Sequence, residues 1–525
     1  MGHKRACRYS WRRTRRGNLA ARGVSTPKAN LLPPSAFILH PPRVPRFLSA
    51  LSGRFAALFA IDLRTLAVFR VALGLILLAD IGQRLLDFHV FYTDDGVWPV
   101  ADAWNEKGRP AGLWSLHLLS GSAQWQGALF AIEALAATAV ALGWRTRAAT
   151  VVAWLLLASV QSRNPFVLGG GEIVMRLLFF WAMWLPLGAR WSLDARRTGA
   201  TPHGSALSWA TAGLLVQMVI VYVFNAIFKT DPAWRTTGLA ISQALSIEIY
   251  ARPFGQSLLA WPELLRWLTR GTILLEGFGP LLPFIPWRNG LWRMLAVVLF
   301  IGFHAGLAAT MRLGIFPYIC MVGWLAFIPS ELWERGRSTV APILRSRWPV
   351  NAAAAFCLLF IICWNLKTWW PWLIPRTVRP FAFALRLDQK WNMFSPRPWR
   401  REGWYVPVGT YPGGKEVNLL TGASPVEWKR PPNMGDPIAT PGWRKYVIAI
   451  RAKGRDNRRR LYLEWLVRRW RSGHPDAPEF VKLELYYLQE LIADRTLGPD
   501  NYLTLEIPDT SRSAPFPAKD EALAP

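Results

Sequence analysis

Cysteine is scarce in this chain. There are four among 525 residues, Cys7 near the start and Cys320, Cys357 and Cys363 inside apolar runs. None falls beyond residue 396, so neither a disulfide framework nor a CxxC metal site is available. The seven histidines show no HxxxH ligand spacing, and no structural metal is predicted. Acidic residues are also few, 33 against 62 Lys and Arg, which leaves a net charge of +29. Such an excess raises the question of a nucleic-acid partner. Its distribution answers against one. The basic residues lie in the N-terminal stretch, in short loops between apolar runs and in the C-terminal region, and no nucleic-acid-binding motif accompanies them. Loop arginine is instead the topology signal of a membrane protein. Internal repeats are missing as well, which argues against a transporter built from inverted halves.

What the chain does have is apolar and aromatic mass: 52% hydrophobic residues and 30 Trp. Trp favours the membrane–water interface, where its ring is buried and its N–H stays wet. A membrane span needs about 20 mostly apolar residues. Candidate spans lie near 64–86, 125–143, 147–162, 173–190, 206–228, 269–287, 291–311, 314–332 and 350–367. Segment 230–268, broken by Pro232, Pro253 and Pro262, reads as interfacial or re-entrant. Residues 1–55 carry many Arg and Lys with no hydrophobic period and read as a basic, disordered cytoplasmic tail. The positive-inside rule places Arg145, Arg147, Arg190, Arg196, Arg197, Arg288, Arg293, Arg335 and Arg337 inside, and the acidic start of loop 88–124 outside. Arg235, Arg252, Arg266 and Arg270 in an outside segment run against the rule. An odd number of spans then leaves the C-terminus outside.

Residues 396–525 change character. Gly403–Tyr411 reads as a strand, Pro412–Lys415 as a turn, Glu416–Leu420 as the strand's partner, 459–471 as a basic helix and Val481–Tyr487 as an edge strand. The predicted fold is therefore an all-α polytopic membrane bundle of about nine transmembrane helices (56–395), followed by a small extracytoplasmic α+β domain (396–525).

Ionisable side chains inside hydrocarbon cost several kcal/mol and usually face a cavity or a partner. Arg70, Asp80, Glu133, Glu276 and His304 fall within predicted spans, with Arg176 and Lys229 near span ends. Each also has a structural reading. Arg70 and Asp80 neutralise partners on other helices; Arg176 pairs with Glu172 at i, i+4; Glu133 and Glu276 are protonated helix contacts; Lys229 snorkels to the interface; His304 is a satisfied core histidine.

Several blocks together resemble a known family. Leu66-Ala67-Val68-Phe69-Arg70, Gly74, Asp80 and Phe91-Tyr92-Thr93-Asp94-Asp95-Gly96 are similar to the opening of the HTTM (horizontally transferred transmembrane) domain, whose superfamily includes vitamin K-dependent gamma-carboxylase. Ile220-Val221-Tyr222 with Lys229-Thr230-Asp231-Pro232-Ala233-Trp234, Phe303-His304 with Gly314–Tyr318, and Trp391–Pro396 extend the resemblance over about residues 60–420. It implies nine spans with an outward C-terminal domain. It also implies that Lys229 is a base that triggers oxygenation of a reduced quinone, after which the resulting alkoxide takes a proton from a glutamate side chain and the carbanion takes up carbon dioxide. Desolvation at the end of an apolar helix would suit a lysine for that role.

Three departures argue against protein-glutamate carboxylation itself. Loop Ser162–Phe166 lacks the family's histidine, the C-terminal region is short, and the cysteine pair tying the outer loop to it is missing.

The leading expectation is thus a membrane-embedded, carboxylase-like enzyme of a bacterial inner membrane. Lys229 and His304 would be catalytic, Glu276 and Trp234 cofactor-binding, and the cofactor a reduced quinone entering from the bilayer. The alternative is a non-catalytic membrane protein that scaffolds or helps mature an exported peptide or protein.

Overall fold

A computed structural model describes residues 58–106, 108–199, 202–333, 343–430, 440–452, 456–492 and 502–505. The basic N-terminal tail lies outside the described residues. The chain is mostly helical. Its principal helices are α1 (Leu63–Leu85), α2 (Ala123–Leu142), α3 (Thr146–Arg163), α4 (Gly170–Ala182), α5 (Trp209–Phe228), α6 (Pro262–Phe278), α7 (Asn289–Thr310), α8 (Phe316–Leu325), α9 (Trp348–Leu366), α10 (Pro441–Ile450) and α11 (Asp456–Gly473).

Among the described residues, five helices are long and apolar enough to cross a membrane: α1, α2, α5, α7 and α9. The other four predicted spans are helical but do not meet that test. Helix α3 has 18 residues bracketed by polar ends, α4 has 13, α6 has 17 and passes into a 3-10 turn at Gly279-Pro280, and α8 has 10. Side chains midway along the long helices point outward without cover: Leu135 is 70% exposed and Leu359 60%. Apolar exposure of that kind suits lipid, not water. The chain is a membrane protein.

Local chemistry sets the helix ends. Ser122 and Ser208 accept the amides of Trp125 and Thr211 as N-caps of α2 and α5. Gly143, in the left-handed region at φ 71°, closes α2. Helices α1 and α2 cross where Gly74 allows close approach. A Cβ there would lie 2.7 Å from the Ala137 carbonyl oxygen.

Two sheets tie the bundle together. In the first, β1 (Ile61–Asp62) pairs antiparallel with β2 (Ser205–Leu207), which pairs parallel with β3 (Ile343–Arg345). These strands immediately precede α1, α5 and α9, so the N-terminal ends of those three helices lie on one side of the bundle. In the second, β4 (Arg401–Thr410), β5 (Glu416–Asn418), β6 (Lys482–Leu491) and β7 (Tyr502–Leu505) run in the order β5-β4-β6-β7, every pairing antiparallel. The predicted hairpin and basic helix are present. The predicted edge strand, β6, is internal, because β7 covers its far side. Register places Glu402 opposite Glu490, and Arg430 bridges both and Glu248, at 3.6 Å from Glu402 and 2.9 Å from Glu490.

Helices α10 and α11 seat this C-terminal unit on the bundle. Thr440 donates to Asp87, Lys445 pairs with Glu172 and Arg458 with Glu106. Arg458 also lies 3.7 Å above the Phe166 ring.

Candidate functional site

The sequence Lys229-Thr230-Asp231-Pro232 stops α5 and fixes the lysine at its mouth. Lys229 is the C-cap, and Asp231 starts the next short helix by accepting the Ala233 amide at 2.9 Å, with Pro232 at its first position. Arg235 turns back to donate to the Lys229 carbonyl (2.7 Å), an acceptor the helix end leaves open, and to the Ala226 carbonyl (2.8 Å), which also accepts the Lys229 amide.

Lys229 does not snorkel. Its side chain is 3% exposed and its ammonium contacts the carboxylate of Glu276 on α6. Asn225, one turn back on α5, donates to the other carboxylate oxygen at 3.1 Å. The Trp234 ring closes the site, its centroid 4.3 Å from Lys229 Nζ, and its indole N–H donates to the Phe394 carbonyl at 3.0 Å. The end of α5, the short helix after it and α6 therefore join three of the four predicted site residues, Lys229, Trp234 and Glu276, in one cluster.

His304, on α7, forms a second cluster against α5. Its Nε2 lies 2.6 Å from the Tyr222 hydroxyl, which also accepts the Trp324 indole N–H at 3.0 Å. Trp324 in turn stacks on Phe300 at 3.9 Å. His304 Nδ1 and Asn225 Oδ1 are buried with no partner among the described residues. Tyr222 and Lys229 are seven residues apart on α5, about 10 Å along its axis, and Tyr222 lies within electrostatic range of Glu276.

A scan against family models matches the HTTM domain over residues 59–333, more than half of the chain. The chain belongs to the HTTM domain family. No curated protein and no solved structure matches it. The matched span of this HTTM protein holds all four predicted site residues, and the C-terminal sheet lies beyond it.

Three sequence expectations are corrected. Asp80 pairs with Arg84 on its own helix at 2.6 Å, not with another helix, and Arg84 also donates to Tyr92. Arg176 turns from Glu172 to Gln161 and Asp388, because Lys445 and the Gly169 amide already hold Glu172. Lys229 is buried because Glu276 offers a closer counter-ion than the interface does. Arg70 donates to the carbonyls of Leu187, Arg190 and Trp191, with the Asp194 carboxylate of another helix within electrostatic range. Asn225 and Tyr222 are not among the predicted site residues, although their spacing of four and seven from Lys229 puts them on its helix face.

Proposed function

We propose that this HTTM protein is a membrane-embedded enzyme that moves a proton through the Lys229–Glu276 pair. The observation that carries the reading is the burial of that pair beneath Trp234, with Asn225 fixing the carboxylate. Burial makes charge costly to keep at this site. A Lys229 amine that has given up its proton can act as a base. Tyr222 and His304 orient the neighbouring stretch of α5.

The cofactor we propose is a reduced quinone. Its fit rests on the two orphaned polar atoms: a quinol hydroxyl would donate to Asn225 Oδ1, and His304 Nδ1 would face a quinol oxygen. When bound, such a group supplies reducing equivalents and an acidic O–H.

We also propose nine crossings, with the C-terminal unit outside a bacterial inner membrane and domain limits of 56–395 and 396–525. Two features support this. The β1–β2–β3 sheet gathers the starts of α1, α5 and α9, the first, fifth and ninth segments, on one side. The Lys229 end of α5 is tied to residues after α9 by the Asp231 amide, which donates to the Pro396 carbonyl at 3.3 Å.

The test is oxygen uptake by membranes carrying the full chain and supplied with a reduced naphthoquinone. Wild type consumes oxygen, and Lys229→Ala lowers the rate by about 100-fold or more while inserting normally. An unchanged rate in Lys229→Ala, or none in wild type, defeats the reading.

A further inference from the structure

A cavity of about 460 Å³ lies where the bundle meets α10. Its walls come from the start of α4 and the residues just before it (Leu168–Gly171), the turn between α7 and α8, segment 392–399 and one face of α10. None of the residues assigned above to proton transfer lines it.

Its charge is unbalanced. Four cations line it, Arg312, Arg397, Arg444 and Lys445, against one carboxylate, Glu172. Lys445 is taken by Glu172, and Arg397 by Asp231 outside the cavity at 3.4 Å. That leaves Arg312 and Arg444. Arg444 is 8% exposed, and its guanidinium has no hydrogen bond or ion pair among the described residues. Its electrostatic neighbours are Tyr250 and two more cations, Arg312 and Arg252. Arg252 gives its Nε–H to the Met311 carbonyl at 3.2 Å and offers no neutralisation.

A guanidinium on a largely buried side chain, opening onto a cavity shared with other guanidiniums, is a costly arrangement unless an anion completes it. Other groups at the same cavity also suit an anion. Gly170 and Gly171 open the 13-residue helix α4, whose first amides lack intrahelical acceptors. Desolvation pushes the Tyr250 phenol up to about 12, so it remains a neutral donor. Phe166, Leu168, Leu313, Phe316, Met393 and Phe394 supply apolar wall.

We infer that this cavity is a binding site for a phosphate oxyanion, held by the Arg444 and Arg312 guanidiniums, whose forks match phosphate oxygens in pairs. The phosphate is that of an anionic phospholipid head group or a free phosphate, and the apolar wall fits the former. The site is separate from the Lys229 pair, so it stands or falls independently of the proton-transfer reading.

The experiment uses the full chain in neutral detergent. Native mass spectrometry measures retention of phosphatidylglycerol against phosphatidylcholine, and calorimetry measures inorganic phosphate. Wild type retains phosphatidylglycerol in preference. Arg444→Gln and Arg312→Gln each weaken that binding by about tenfold, and Arg444→Lys keeps part of it. The half-buried Arg312 keeps the test readable should Arg444→Gln fail to fold. Saturable phosphate binding that needs both arginines, without lipid preference, assigns a free phosphate. No saturable binding of either probe, or binding that survives both substitutions, overturns the site.

Discussion

At the scale of residues, one pairing organises the account. Lys229 and Glu276 are both buried and each is the other's counter-ion. Removing one partner of such a pair leaves an uncompensated buried charge, at about 3–5 kcal/mol, whereas removing both leaves little to compensate. Lys229→Met and Glu276→Gln are each expected to lower thermal stability in detergent, and the double variant to recover most of the loss. Strict additivity in that cycle would show that the pair does not form. The sequence displayed each member, because an ionisable residue in an apolar run stands out. It did not display the pairing, since the partners lie 47 residues apart on different helices. Trp234 was marked by its block with Lys229. The ring's position over the amine depends on the turn at Asp231-Pro232, which only the folded chain reveals. Asn225 carried a weak signal, one helical turn from Lys229, that an uncharged amide in an apolar run does not make conspicuous.

At the scale of elements, close helix approach is set by small residues. Gly74 lets α1 lie against α2, and an added methyl meets the Ala137 carbonyl and the Ala141 amide, both backbone and neither able to swing aside. Gly74→Ala is expected to cost about 1–3 kcal/mol, read as a lower unfolding temperature, while Gly82→Ala, inside the same helix and with an added methyl that meets nothing, leaves that temperature unchanged or raises it. An unaltered Gly74→Ala would mean that α1 and α2 pack differently. Helix positions were legible from hydropathy, and each predicted span falls on a helix. Helix lengths were less so. Apolar composition continues through Gly279-Pro280 and past Leu325, where the backbone leaves the α-conformation for 3-10 and irregular turns. The same limit applies to β6. Its alternation identified a strand, but the partner on its far side comes from near the chain's end.

At the scale of the whole molecule, the buried pair, the arginine-lined cavity and the C-terminal sheet gather at one end of the bundle. The β1–β2–β3 sheet gathers the starts of α1, α5 and α9 at the other. Exposed Trp144, Trp191, Trp209 and Trp348 flank the helix ends nearest that sheet, and Trp261, Trp369, Trp370 and Trp372 lie near the opposite ends, as two interfacial belts would. In the proposed topology, nine crossings carry the Lys229 mouth and the C-terminal unit to the outer face. Reporter fusion at the C-terminus of the full chain, expressed in a bacterium, tests it most directly. The account predicts an active periplasmic alkaline phosphatase and a dark cytoplasmic green fluorescent reporter; a bright fluorescent fusion with an inactive phosphatase would contradict it.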